Sequence, residues 1–395
     1  MKKSLLALAA LGAFASAAQA QSSVSVYGIM DGSYTVAENT SKTTAAATAT
    51  DTKSRNTVNG DGAYSTSRLG FRGNEDLGGG MSAQFVLEYD LINIGNGANG
   101  TDTSTNQTSN TNGRTESFGA RYSWIGLTDK NMGSLRIGRQ ESSMHGAFTA
   151  GLAGQANNMQ GSIYSSSSAT TSTNANVMSA AIRPYDVFVD QAITYVAPTM
   201  SGVSVQVQYS ENAYSAGQTT GSSGFRQAGG SVRFTGVKNL VVAYGFQQDN
   251  AVVTSTAGSN AKRVVNALSA NYNFGPVTAF GVYSTHKNTN QITSVTTREQ
   301  KATELGLRAP VGKAVEVWAS SFMGTKTEGT NGATLTATTT GNADLSGYQL
   351  GAQYNLSKRT TAYAIYGTQK IKGKDAAINT EIASTGYALG LRHTF

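Results

Sequence analysis

The sequence predicts an all-β chain: a sixteen-stranded antiparallel transmembrane β-barrel with long loops at one end. Three observations lead there. Runs of about ten residues that alternate apolar and polar recur along the chain, and that is the length of a tilted strand crossing a bilayer. The connections between them alternate between short turns and long Ser/Thr/Asn/Gly-rich segments. The N-terminus reads as an export signal.

Lys2 and Lys3 form a positive start, Leu5 to Ala15 a short apolar core, and Ala18-Gln19-Ala20 a small-residue cleavage site. The apolar core is too short to span a bilayer as a helix. The expected organisation is a signal peptide over 1–20 and one barrel over 21–395, with the mature chain starting at Gln21.

Composition fits a barrel better than soluble domains. Charged residues are only 13%, while Gly numbers 45 and Pro only 4. There is no cysteine, so no disulfide framework, and a ladder that closes on itself needs none. The net charge is +7, but Lys and Arg are scattered and not in runs, which argues against nucleic acid as a partner.

The strands follow from parity. Met81, Ala83, Phe85, Leu87, Tyr89 and Leu91 alternate with Ser82, Gln84, Glu88 and Asp90, and only Val86 breaks the pattern. Successive strand side chains point to opposite faces, so one face is greasy and the other polar. Val203–Tyr209 and Tyr387–Leu391 repeat this. Sixteen such runs lie near 23–35, 64–74, 81–94, 116–128, 133–141, 187–197, 202–211, 226–235, 239–249, 262–274, 277–287, 299–309, 314–325, 346–356, 360–371 and 384–395. Short turns include Asp76–Gly80, Pro198–Ser201 and Gly275-Pro276, and long loops include Ala37–Ala63, Gly95–Thr115, Ser142–Asp186 and Lys326–Asp344. Apolar residues toward lipid, polar residues toward water and loops long on one side describe an outer-membrane barrel.

Motifs for chemistry are weak. Gly95–Gly100 matches G-x-G-x-x-G, but a Thr/Asn/Ser tract follows where a dinucleotide site needs a helix, so it reads as a loop. His145, His286 and His393 are not at metal-ligand spacing, and there is no G-x-S-x-G. The expectation is no enzyme, no cofactor and no metal. An adhesive barrel and a membrane-embedded Ser-His hydrolase are the alternatives.

Val24–Asp31 (VSVYGIMD), Ser67–Gly80 (SRLGFRGNEDLGGG), Gly133–Gln140 (GSLRIGRQ), Leu356–Arg359 (LSKR), Tyr363–Gly367 (YAIYG) and Gly390–Phe395 (GLRHTF) resemble the trimeric general porins of Gram-negative bacteria, particularly those of β-proteobacteria. The resemblance implies three sixteen-stranded barrels per homotrimer in the cell outer membrane. It also implies passive diffusion of small hydrophilic solutes, and a loop 3 folded inward opposite a basic wall. Outer-membrane lipid, lipopolysaccharide and the barrel assembly machinery would be the partners. Arg68 and Arg139 match wall arginines of that family. A third is expected where this chain has Phe188, with Arg183 the nearest substitute.

Parity refines this. Arg68 and Arg72 share one face, opposite Leu69 and Phe71. Arg121 is a further candidate on a less regular run. Strict alternation would put Arg139 with Leu135 and Ile137 on the lipid side; either a bulge near Gly138 re-aims it or it lies past the lipid band. Asp31, Glu88 and Asp90 read as lumen acids, the latter two toward the far end of their strand and nearer a pore mouth. The candidate loop 3, Ser142–Tyr185, contains no Asp or Glu among its 44 residues. A basic wall without facing acids favours anions. Phe395, alternating with His393, Leu391, Leu389 and Tyr387, resembles an assembly signal, and Tyr64, Tyr122, Trp124 and Trp318 are candidates for the interfacial girdles.

Overall fold

A computed structural model describes residues 23–45, 48–91, 118–164, 183–212, 223–253, 261–290, 294, 296–328, 342–374 and 378–395. The signal-peptide region and the Gly95–Gly100 motif lie outside them.

The strands are β1 (Ser23–Ala45), β2 (Thr48–Asp61), β3 (Arg68–Gly78), β4 (Met81–Leu91), β5 (Phe118–Asp129), β6 (Gly133–Glu141), β7 (Phe188–Val196), β8 (Val203–Asn212) and β9 (Ser223–Phe234). They continue as β10 (Leu240–Val253), β11 (Ala261–Asn273), β12 (Thr278–Asn290), β13 (Thr296–Val311), β14 (Val315–Glu328), β15 (Ala343–Asn355), β16 (Thr360–Gly373) and β17 (Ile378–Thr394). The helix α1 (Ser143–Thr149) follows β6.

From β3 to β17 each strand pairs antiparallel with the next. β1 closes the ring. Its first part, Ser23–Ile29, pairs with β3, and Ile29–Ala45 pairs with Ile378–Thr394 of β17. Sixteen strands make the wall. The seventeenth, β2, forms a hairpin with β1 above the start of β3. This hairpin occupies the expected loop Ala37–Ala63: the run of Thr residues there has β-branched chains that suit a pleated edge. The expected strand 64–74 begins only at Arg68, because Gly62–Ser67 leaves the wall and turns inward.

The two faces separate as parity requires. Ile125, Leu305 and Leu389 are each more than half exposed on the outside. Ser269, Gln247 and Gln349, on the opposite face of their strands, are buried. Phe395 seals the ends: its N–H and C=O pair with the C=O and N–H of Gly28, both at 3.1 Å. Its ring lies where a Cβ on residue 28 would be, 2.4 Å from such an atom, so position 28 takes only glycine.

The expected girdle residues are not on the outer face. Trp318 shares the inner face with Ser320 and Phe322, and it stacks on Tyr64 at 5.9 Å. Tyr64 sits in the inward turn. Tyr122 and Trp124 lie opposite the exposed Ile125 and Leu127. Position near a strand end was the wrong guide, since parity decides the face. The outward aromatics are others, including Tyr195, Tyr209, Tyr272, Phe274, Tyr354 and Phe395.

Candidate functional site: the lumen

Residues 142–164, the described first part of the expected loop 3, lie along the inner wall. Ser143 N–H donates to Gln208 Oε1 of β8 (3.1 Å), and Ser142 Oγ to Gln247 Oε1 of β10 (2.6 Å). Asn271 of β11 donates to the Ala150 carbonyl (2.8 Å), and Arg308 of β13 to that of Ala153 (2.7 Å). Gln349 of β15 donates to the Gln160 carbonyl (2.9 Å), and Gly161 N–H reaches Gln369 of β16 (3.4 Å). Under these bonds Met144, Phe148, Leu152 and Ile163 pack on Val265, Val282, Phe322 and Leu345. Ser162 Oγ and Ile163 N–H both donate to Glu304 Oε2 at 2.8 Å. The segment therefore covers the arc from β8 round to β16. On the remaining arc, from β3 to β7, stand Arg68, Arg72, Arg121, Arg136 and Arg139.

Arg68 and Arg72 face inward as parity requires. Arg68 Nη1 is 3.7 Å from Glu88 Oε1, and Arg72 lies over the Tyr27 ring at 5.2 Å. Arg121 comes inward through a bulge. The register jumps between Glu88–Tyr122 and Tyr89–Ala120, which leaves Arg121 unpaired in the ladder. Its Nε reaches Glu88 at 2.7 Å and its Nη1 Asp90 at 3.0 Å. A second bulge follows Gly138, whose φ of +129° few side chains tolerate. It takes Arg139 out of strict alternation. Arg139 then pairs with Asp190 and donates from Nε to the Ala120 carbonyl at 2.6 Å. The guanidinium groups of Arg121 and Arg139 both lie over the Phe188 ring, at 4.8 and 5.4 Å, and Tyr122 meets that ring edge-on at 5.5 Å. Phe188, standing where an arginine was expected, thus stacks two arginines. Arg183 lies over Tyr164 at 5.1 Å.

Three placements differ from expectation. Glu88 and Asp90 are not at a distant mouth, because the β3–β4 hairpin sets Arg68 directly opposite Asp90. They partly neutralise the wall. Asp31 is fully buried and does not line the water: it accepts from Ser65 N–H (2.6 Å) and from Tyr363 OH (2.5 Å). Arg136, missed from sequence, lies over Trp124 at 4.9 Å and donates from Nε to Ser134 Oγ (3.3 Å), and no ion pair is described for it. Alternation with Leu135 and Ile137 could have found it.

The loop adds histidine and not acid. His145 Nδ1 is 3.1 Å from Tyr185 OH. Burial holds His145 below the ordinary histidine range. Glu141 opposes this, while Arg183 and Arg121 reinforce it. Burial likewise pushes the Tyr185 hydroxyl well up. Among the described residues no group of three or more His, Cys, Asp or Glu could hold a metal ion.

A family model described as Gram-negative porin matches residues 7–374. The chain is 32% identical to an outer membrane porin protein of Bordetella pertussis, over the full length of both. It is 29% identical to outer membrane porin protein 32 of Delftia acidovorans, again over both full lengths. Its fold is similar to an anion-selective porin from Comamonas acidovorans, with a TM-score of 0.65 at 25% identity, covering 95% of this chain and 100% of that one. OmpT of Vibrio cholerae is similar in fold alone, with a TM-score of 0.60 at 15% identity, covering 95% of this chain and 98% of that one.

Proposed function

The chain belongs to the Gram-negative porin family, and on that premise we propose that its arginine arc makes it an anion-preferring diffusion channel for small hydrophilic solutes. The outer membrane is its location. The observation that carries the anion preference is the charge around the arc from β3 to β7. Five arginines of the arc (68, 72, 121, 136 and 139), with Arg183 at the end of the loop, stand beside four carboxylates (Glu88, Asp90, Glu141 and Asp190), and the covering segment 142–164 contributes none. Two positive charges remain at the narrow zone, where low-dielectric walls focus their field. The relative from Comamonas, described as anion-selective, supports the same sign.

Selection here needs no reaction. Width is set by the segment on the wall and sign by fixed charge. The exposed apolar outer face is proposed to meet lipid, lipopolysaccharide and two further copies in a trimer, with Phe395 recognised by the assembly machinery. The mature chain is proposed to start at Gln21. Reversal potentials across a potassium chloride gradient in a planar bilayer test the channel: chloride should permeate better than potassium. A cation preference in the unmodified protein would overturn the charge assignment. Native mass in mild detergent tests the trimer, and a clean monomer counts against it.

A further inference from the structure

The turn Gly62–Ser67 links β2 to the start of β3 and enters the lumen. A fully buried carboxylate holds it there. Asp31 Oδ2 accepts from Ser65 N–H (2.6 Å) and Ser65 Oγ (3.1 Å), and Oδ1 from Tyr363 OH (2.5 Å). The Asp31 N–H donates to Ser67 Oγ (2.9 Å), and its carbonyl accepts from Gly62 N–H (2.9 Å). Arg392 Nε adds a bond to Ser65 Oγ (3.0 Å). One aspartate thus organises both ends of the turn.

The other side of the turn grips the loop. Ala63 and Gly62 carbonyls accept from Asn158 N–H (3.0 Å) and Nδ2 (2.8 Å). Tyr64 OH has its one proton within reach of two acceptors, Gln155 Oε1 (3.2 Å) and Gln353 Oε1 of β15 (3.0 Å), and its ring packs on Tyr363 at 5.4 Å. Residues 155–158 therefore have a second anchor besides the strands beneath them.

We propose that Gly62–Ser67 is a latch that pins residues 155–158 of the inward segment, and that Asp31 is its positioning residue. This rests on the channel reading, since the latch matters only if the inward segment bounds the open pore. Asp31 does not touch the permeating solute. It sets how still the edge of the passage is. Releasing the latch lets the 155–158 stretch move relative to the wall, and a single channel reads that as noise.

The test compares single-channel recordings of the full protein and of Asp31→Ala, each first shown to be folded by heat-modifiable migration. Open-state current noise should rise several-fold in the variant, with brief closures at lower voltage. The chain has no cysteine, so Ala63→Cys and Asn158→Cys can be added to Asp31→Ala and oxidised. The crosslink should restore quiet openings, and reductant should undo the rescue. Should Asp31→Ala not fold, Tyr64→Phe with Asn158→Ala removes the grip with Asp31 intact and should give the same noise. Folded variants as quiet as the unmodified channel, or noise that persists in the crosslinked barrel, would overturn the latch. An unmodified protein that conducts nothing would instead overturn the channel reading.

Discussion

Replacing Arg72 and Arg136 with Ser removes two of the three counted arginines for which no ion pair to a carboxylate is described, the third being Arg183 on the loop. The six-to-four surplus then becomes four to four. In water a unit charge about 5 Å from an ion acts with about 0.8 kcal/mol, which screening at physiological salt reduces to about 0.4 kcal/mol. Two such charges lower the anion by about 0.9 kcal/mol and raise the cation as much, so the chloride-to-potassium ratio should fall about twenty-fold. At 1 M salt the Debye length is about 3 Å, and the same substitution should change the ratio only about three-fold. Reversal potentials at both ionic strengths measure this. Arg226→Ser, at an exposed pair with Glu211, serves as the control and should change nothing. Unaltered selectivity in the double variant, or an equal shift at low and high salt, would refute the surplus-charge argument.

Further outcomes follow from individual positions. In Gly367→Val the new Cβ would meet the Gln160 carbonyl at 1.8 Å; it should push residues 159–161 toward the lumen axis and lower single-channel conductance, and an unchanged conductance would contradict the packing. His145 is kept neutral by burial, so the folded loop is unpenalised above the unfolded histidine value of about 6.5 and loses stability as pH falls below it. Channel noise should rise between neutral and mildly acidic pH in the unmodified protein, and His145→Gln should remove that dependence. Phe395→Ser should lower the yield of folded barrel in outer membranes, read as the heat-modifiable fraction, because it uncovers Gly28 at the closing strands. N-terminal sequencing of the native protein should give Gln21.

The wall was legible because its signal is local. A strand such as Val203–Tyr209 declares both faces by period two, and Arg68 and Arg72 followed the same rule. What depended on pairing between strands was not legible. Nothing in one strand says that Asp90 comes to stand opposite Arg68, or that an extra residue at 121 turns Arg121 inward. The mismatch between Arg139 and its neighbours left a bulge at Gly138 or a place past the lipid band, and a register shift is found at Gly138. Asp31 alternates correctly onto the inner face, yet it is buried, because the turn that covers it comes from residues 62–67. Tyr64 and Trp318 misled for the same reason: a large aromatic near a strand end suits the membrane interface, but these two fill space between the wall and the inward chain.

The seam between β1 and β17 joins opposite ends of the chain through a register running from Ile29–Thr394 to Ala45–Ile378. Such a junction forms late, since closing so long a loop is costly and its contacts are wholly non-local. Residues 142–164 are built earlier in the chain and end up enclosed. The segment packs on β8 to β16, so its stowing and the closing of the seam complete the same interior. A barrel that shuts with this segment outside keeps Met144, Phe148 and Ile163 uncovered. The last strand thus serves two neighbours, β16 and β1, and its terminal Phe395 fastens the ring at Gly28.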